Sequence, residues 1–422
     1  MTMKILMLLG NEKEIGTYHR AFGWAKYLSQ AGHSVTIVCD GHKRVKTHTH
    51  FECGIKILET PSFMDGRLLG TRLTGMGGWG LLSIRARRAE LIQGDYDVVH
   101  TFEHYPSVAL AVYIGGYRRV PVFFSDWCDH YGEGGFRDLY DSYKLRAVYR
   151  RLGRIPMKIL DFFEKDVRRR SAAVTVISSF LFDRAVDFGI DPDNVSIIRG
   201  SLDKDKLIPI DKLEARKKIG IDRDQRIVTF LGTAQFDVDL ALHAFAVVLR
   251  QCPDARFFVL GKKTEPLDPV IKALSLSDKV TMTGWCTQSD MINYLSSTDV
   301  FVLPMRDNIV NQARWPNKIN EYMAMARPTV CSPVGDVAEL VKRERIGLVP
   351  ENDPVHFGEA ILTLLKDDEL SNDMGRRARR VAEQQFDIGV QGSQVERLYQ
   401  RFVLDAMTSK RQKQQELFWK KG

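Results

Sequence analysis

The residues best equipped for chemistry lie in one stretch, Arg314-Trp-Pro-Asn-Lys318-Ile-Asn-Glu321-Tyr-Met-Ala, which continues through Thr329-Val-Cys331 to Gly335-Asp336-Val337. Pro316 suits the start of a helix, where its missing N–H goes unused. Arg327-Pro328 ends that helix, and Thr329-Val330-Cys331 is a short apolar strand. Pro333 and Gly335 break the strand, so that Asp336 and Val337 open a second helix. Arg314 and Lys318 are four apart, a spacing that puts two cations on one helical face, with the Glu321 carboxylate just beyond. Free N–H groups and a partial positive charge at a helix N-terminus suit phosphates and sugar hydroxyls. The set is suited to holding a diphosphate and a ribose together.

Three further groupings lie in the first half. Gly10-Asn-Glu-Lys-Glu-Ile-Gly16-Thr17-Tyr-His-Arg20 joins a strand to a helix, and such a glycine loop lets a substrate approach the backbone closely. Gly16, Thr17 and Arg20 are its binding candidates. Phe124-Ser-Asp126-Trp-Cys-Asp129-His130-Tyr-Gly-Glu133-Gly-Gly135 follows a predicted strand at Val120–Phe124, so Asp126, Asp129 and His130 are expected in a loop at its carboxyl end. Capping and turn formation account for part of this composition, but three acids and a histidine exceed what a turn needs. Asp97-Val-Val-His100-Thr-Phe-Glu103-His104 ends another strand, with His104 just past it.

These groupings must be positioned by two alternating strand and helix series, one before and one after a polar run at Asp203–Lys206. Such alternation predicts parallel sheets with crossover helices. A chain of 422 residues exceeds what one core usually serves. The expected division is residues 1–206, residues 207–388, and a helix with a basic tail at 389–422. Ligands of doubly wound sheets bind at the carboxyl ends of the strands, so two facing domains would place them in a cleft.

The composition, 44% hydrophobic and 27% charged, is that of an ordinary soluble protein, and no apolar run is long enough to span a bilayer. Lys4–Leu9 reads as a strand too short for a signal peptide. Six scattered cysteines without ligand spacing suit a reducing cytoplasm. The net charge of +8 is concentrated at Arg85, Arg87 and Arg88, at Lys144, Arg146, Arg150, Arg151 and Arg154, at Arg168–Arg170, and at Lys410, Arg411, Lys413, Lys420 and Lys421. Beside apolar segments such as Leu81–Arg85 and Ile155–Leu160, these clusters suit either a solvated helix face or an anionic membrane surface. Readout motifs for nucleic acid are absent, so no nucleic-acid partner is expected.

The Pro-x-Lys-x-x-Glu-Tyr-Met-Ala pattern at Pro316–Ala324, with Ala31-Gly-His-Ser-Val-Thr36 and Asp97-Val-Val-His100, resembles retaining glycosyltransferases of the family 4 type. The resemblance covers nearly the whole chain and implies the α/β GT-B architecture, two Rossmann-like domains facing across a cleft. It implies transfer of a sugar from a nucleotide-diphosphate sugar to a hydroxyl acceptor with retention, in polysaccharide or glycolipid biosynthesis. It further implies cytoplasmic localisation with peripheral contact at the inner membrane face, and neither a cofactor nor a metal.

By this resemblance Glu321 holds the donor ribose, and Gly335, Asp336 and Val337 touch the sugar or its phosphate. Gly232 opens the donor unit just before the phosphate-gripping positions, Gly261 and Trp285 look like the strand ends that wall the base (a core or hinge role for Trp285 being equally open), and Asp126, Asp129, His130 and His104 attend the sugar or acceptor. Two departures stand out. Relatives carry a phosphate-gripping Arg and Lys where this chain has Thr233 and Asp239, and a Glu eight positions before Glu321 where it has Ala313. Arg314 and Lys318 are expected to supply the missing charge, and Asn308 and Asn311 the sugar contacts. Two other readings remain open: a nucleotide-sugar 2-epimerase, and a non-catalytic scaffold of the same fold.

Overall fold

The computed structural model describes residues 1–41, 46–61, 80–116, 120–132, 134–136, 155–232, 237–261 and 267–419. Glu133, Thr233, Lys262, Lys263, Lys420, Lys421 and the basic run Lys144–Arg154 lie outside them, as do the side chains of Lys410, Arg411 and Lys413.

The chain divides into two units. The first comprises Met1–Arg199 with Ile388–Gly422, and the second Gly200–Asp387. The polar run Asp203–Lys206 therefore lies inside the second unit, not at its edge. Leu202 pairs with Asp387 there, and its N–H donates to the Phe386 carbonyl at 2.9 Å.

The first unit is an eight-stranded sheet. Its strands are β1 (Lys4–Glu12), β2 (Ser34–Asp40), β3 (His48–Glu52), β4 (Ile55–Thr60), β5 (Val98–Phe102), β6 (Val122–Trp127), β7 (Ala173–Val176) and β8 (Val195–Ile197). Their order is β3-β4-β2-β1-β5-β6-β7-β8, parallel except for the β3–β4 hairpin. That edge hairpin carries no apolar alternation in its first strand, His-Thr-His-Phe-Glu, which is polar and largely exposed.

Helix Thr17–Gln30 and the C-terminal helix Ile388–Trp419 cover one face, over a core that includes Trp24, Leu28, Val395 and Tyr399. Helices Leu81–Gln93, Pro106–Gly115 and Ile155–Arg170 cover the other, around Leu91, Val108, Val112, Phe163 and Val167. The C-terminal helix continues without a break past Thr408 to Trp419, where the Lys/Gln-rich composition predicts fraying.

The second unit has six parallel strands: β9 (Ile227–Leu231), β10 (Arg256–Leu260), β11 (Val280–Gly284), β12 (Val300–Leu303), β13 (Thr329–Cys331) and β14 (Gly347–Leu348). Their order is β11-β10-β9-β12-β13-β14. The chain thus winds outward in both directions from β1/β5 in the first unit and from β9/β12 in the second. Sheets of this kind bind ligands at such switch points, beyond the carboxyl ends of the strands.

A buried polar relay ties the C-terminal helix to the first sheet. The His100 ring bonds the Tyr399 hydroxyl at 2.6 Å and the Thr175 hydroxyl at 3.2 Å, and Thr175 donates to Asp126 at 2.5 Å. Burial pushes the His100 pKa down to about 3, so the ring is neutral, with one nitrogen donating and the other accepting. Tyr399→Ala removes a fully buried ring as well as this bond. It should destabilise the protein by about 3–5 kcal/mol, the range for large-to-small aromatic substitutions, as measured by urea denaturation.

Candidate functional site

In the second unit the switch point is held open by one side chain. β9 and β12 pair only at Val228–Val300 and Thr229–Phe301. Beyond these the Tyr322 hydroxyl accepts the Leu231 N–H at 2.9 Å and donates to the Val302 carbonyl at 3.3 Å. Its ring stacks on Phe301, with centroids 4.1 Å apart. The hydroxyl thereby replaces the next rung of the ladder and anchors helix Lys318–Ala324 at the split.

That anchoring fixes Lys318 and Glu321. The Lys318 ammonium lies 4.0 Å from the centre of the Phe230 ring. Gly232 has φ +128°, a conformation that favours glycine, and the Lys318 nitrogen lies 2.9 Å from where a Cβ would stand. Burial, and then the charge of Arg314, bring the Lys318 pKa down to about 7. Burial raises that of Glu321, with Lys318 opposing. The two form no salt bridge with each other among the described residues, so both charged groups are available to a ligand.

Arg314 reaches Lys318 in a different way from that expected. It is an extended residue that ends the short helix Ile309–Ala313, and the next helix starts only at Lys318. The four-residue spacing is therefore not a helical one, and the chain turn at Trp315–Asn317 brings the cations together. Trp315 stacks on Phe386 at 5.2 Å and donates its Nε1–H to Asn320 Oδ1 at 3.3 Å, which fixes that turn. Ala313, where relatives carry a glutamate, is buried.

The cation missing after β9 arrives from β12. Arg306 lies 3.3 Å from Asp237 Oδ1 and 2.6 Å from Asp239 Oδ2, so it spans the switch point. Asp237 adopts a left-handed conformation, φ +59°, and also accepts from the Arg306 N–H and the Asn311 amide. Arg306 escaped the sequence reading because its partners are sixty-odd residues away and nothing local marks it.

Asn308 and Asn311, expected as sugar contacts, are occupied. Asn308 caps the helix Ile309–Ala313 by accepting from the Asn311 N–H at 2.9 Å, and the Asn311 amide is committed to Asp237 and the Arg306 carbonyl.

Gly335, at φ +63°, begins helix Gly335–Glu344 within reach of the Asn311 and Gln312 carbonyls. No side chain among the described residues caps that helix at its N-terminus. Gly261 bridges Gly284, and a Cβ there would meet the Gly232 carbonyl at 2.7 Å, so the ends of β9, β10 and β11 converge. Trp285, beyond β11, is 82% exposed, which excludes a core role.

In the first unit Asp126 needs correcting. Strand β6 runs three residues past the expected end, to Trp127, and places Asp126 inside the sheet opposite Phe102 and Thr175. Arg20 grips it through Nε at 3.0 Å and Nη2 at 2.9 Å, while Thr175 and Cys128 donate to it as well. Against the upward push of burial, Arg20 holds the Asp126 carboxyl below its usual range. Asp126 and Arg20 are thus a buried structural pair, and Arg20 also donates to the Arg199 carbonyl at the end of the unit. Thr17 donates to Asn11, which closes the loop below Gly16 (φ +58°).

Beyond β5 and β6 the remaining acids and histidines form one buried cluster. Glu103 takes φ +64°, unusual for a non-glycine residue, and accepts from the Cys128 N–H at 3.2 Å. Burial, reinforced by Asp129, raises its pKa well above the usual carboxylate range. Its second oxygen and His104 Nδ1, 4.0 Å apart, have no hydrogen-bond partner among the described residues. Burial lowers the His104 pKa to about 3. His130 approaches Glu164 at 3.7 Å, and that contact, with His104 and Arg168, holds Glu164 at about 2 against burial. Asp129 lies half-buried beside them. Glu103 lies beside His104 as the Asp97–His104 run suggests, and Glu164 is the cluster member whose importance sequence reasoning missed.

The basic clusters are also partly internal. Arg87 is fully buried on Asp40 at 2.7 Å, and Arg168 is fully buried 4.0 Å from the Trp127 ring centre. No helix among the described residues is long and apolar enough to cross a membrane.

Residues 19–206 match the Glycosyltransferase Family 4 model, and residues 225–367 match the Glycosyl transferases group 1 model. The chain has the GT-B architecture of two Rossmann-like units, the first similar to the Glycosyltransferase Family 4 model and the second to the Glycosyl transferases group 1 model. Alpha-D-kanosaminyltransferase of Streptomyces kanamyceticus is 28% identical over 46% of this chain and 50% of its own length. The chain spans about half the length of the curated relatives it matches. Sucrose-phosphate synthase from Thermosynechococcus elongatus has a TM-score of 0.71 at 16% identity, over 96% of this chain and all of its own. HepE from Anabaena, solved with UDP and glucose, has 0.68 at 14%, over 94% of this chain and 100% of its own. Identities this low show the fold alone.

Tyr322→Phe strands the Leu231 N–H without an acceptor. It should cost about 1–3 kcal/mol, the penalty for an unsatisfied buried donor, as measured by urea denaturation.

Proposed function

We propose that the protein transfers a sugar from a nucleotide-diphosphate sugar to a hydroxyl acceptor with retention of configuration. The observation that carries this reading is the β9/β12 crevice. It gathers Lys318, Arg314 and Arg306 with the Glu321 carboxylate, beside a glycine turn at Gly232 and the uncapped helix at Gly335. Lys318 and Arg314, joined by Arg306 when it leaves its aspartates, stabilise the departing diphosphate. Preorganised donors aimed at developing charge are the usual source of such rate enhancement. Glu321 accepts from the ribose hydroxyls, and Trp285 offers a face for the base. The anomeric carbon's bond to phosphate breaks as a bond to the acceptor oxygen forms on the same face. The acceptor proton passes to the leaving phosphate oxygen.

In the first unit, Asp129, His130 and His104 attend the acceptor or sugar, with Gly16 and Thr17 on the neighbouring loop. The acceptor we favour is a carbohydrate or lipid-linked intermediate of polysaccharide or glycolipid synthesis, handled in the cytoplasm. No metal or cofactor enters this scheme. HepE binds UDP, which makes UDP the first donor nucleotide to try.

Calorimetric titration with UDP, GDP and ADP tests the donor site. One diphosphate should bind selectively, and Lys318→Ala should weaken it by about tenfold or more, as expected for a lost charge-assisted bond. Arg306→Ala should weaken the diphosphate more than the nucleoside. Binding to none of the three would favour the scaffold reading.

The titration should also depend on pH. The free Lys318 amine loses its proton near 7 and must be protonated to hold an anion, so affinity should fall as pH rises above about 7. The limit is about tenfold per pH unit, and the slope should vanish in Lys318→Met.

A further inference from the structure

We infer that the three-helix face of the first unit is a docking surface for anionic lipid. Helices Leu81–Gln93, Pro106–Gly115 and Ile155–Arg170 pack side by side on one face of the sheet, over a shared core that includes Leu91, Val112 and Phe163. Along the first, Leu81, Arg85, Arg88 and Ile92 are all exposed and follow one another at four-, three- and four-residue steps, so they form one stripe. Arg88 Nε donates to the Ile114 carbonyl at 3.4 Å, which carries the stripe onto exposed Ile114 at the end of the second helix. Along the third helix Lys158, Phe162, Lys165 and Arg169 are exposed with the same steps. Two basic segments some seventy residues apart in sequence thus share one layer.

The apolar members are large and unusually open. Leu81 is 80% exposed, Ile114 57% and Phe162 56%. Three acids lie near these cations, and Asp161 is half-buried with a contact of its own. Glu90 is taken up by Lys56 at 2.9 Å and Asp166 by Arg170 at 2.6 Å. Arg85, Arg88, Lys158, Lys165 and Arg169 have no ion pair among the described residues.

A merely solvated face would not need these aliphatic and aromatic side chains, and a polyanion such as nucleic acid would make no use of Ile114 and Phe162 at its rim. Cations interleaved with apolar groups fit a surface that offers both phosphate and hydrocarbon. A lipid-linked acceptor would be met at such a surface, but the inference rests on this face and not on the β9/β12 crevice.

Co-sedimentation of the full-length protein with phosphatidylcholine vesicles, with and without phosphatidylglycerol, tests it. The protein should pellet with the anionic vesicles only, and release at about 0.5 M salt, where screening is strong. Each cation brought to an anionic surface strengthens binding about fivefold, so the triple variant Arg85→Glu, Arg88→Glu, Arg169→Glu should abolish binding. Ile114→Ser with Phe162→Ser should weaken it severalfold. All these positions are exposed, and unchanged nucleotide titrations and melting would show the variants folded.

The inference is overturned if the wild type does not pellet, if the triple variant still does, or if duplex DNA competes fully while the Ile114/Phe162 variant binds vesicles normally. Loss of nucleotide binding alone would sink the donor-site reading and leave this one standing.

Discussion

The second unit depends on a split between two strands. Parallel β9 and β12 diverge after two paired positions because the chain winds away from them in opposite directions, and the divergence would leave a strand N–H and a strand carbonyl unpaired. An unmade buried hydrogen bond costs more than a made one contributes. The Tyr322 hydroxyl serves both groups at once, and its ring fills the gap against Phe301. Helix Lys318–Ala324 is thereby held at the mouth of the split, so the Lys318 amine one turn earlier and the Glu321 carboxylate next to Tyr322 are held there too. Packing and charge placement are two results of one contact.

The first unit solves a different problem, the burial of charge. Asp126 and Arg20 have almost no exposure, and neither would be tolerated alone inside a protein. They are acceptable because Thr175 and Cys128 donate to the carboxylate and the guanidinium also donates to the Arg199 carbonyl. His100 extends the same network to Tyr399, so the C-terminal helix belongs to the first unit through polar contacts as well as apolar ones. A few residues away, Glu103, His104 and Glu164 lack that completeness among the described residues. Buried groups left short of partners beside a strained backbone mark a place shaped for something other than stability.

Periodicity and punctuation in the sequence located most strands and the long helices, because alternating apolar runs and Pro/Gly breaks are local signals. The edge hairpin β3–β4 escaped because its first strand has no buried face to impose a pattern. The end of β6 was misjudged because Ser125-Asp126-Trp127 is polar by composition, while its polarity is satisfied by partners from Arg20 and β7. Spacing alone suggests one helical face for Arg314 and Lys318, and the turn at Trp315, set by distant Phe386, overrides it.

By itself the sequence determined that there would be two doubly wound units, and it singled out Lys318, Glu321, Gly232 and Gly335 as chemically notable. These follow from local spacing and from backbone conformations that only certain residues accept. Only the tertiary structure decided which charges are spent and which are available. It committed Asp126 to Arg20 and Asn311 to Asp237, brought Arg306 across from β12, and set Arg85 and Phe162 on one surface. Those outcomes depend on contacts between residues tens to hundreds of positions apart. Coulomb energy and hydrogen bonding act through space, so such pairings leave no pattern along the chain.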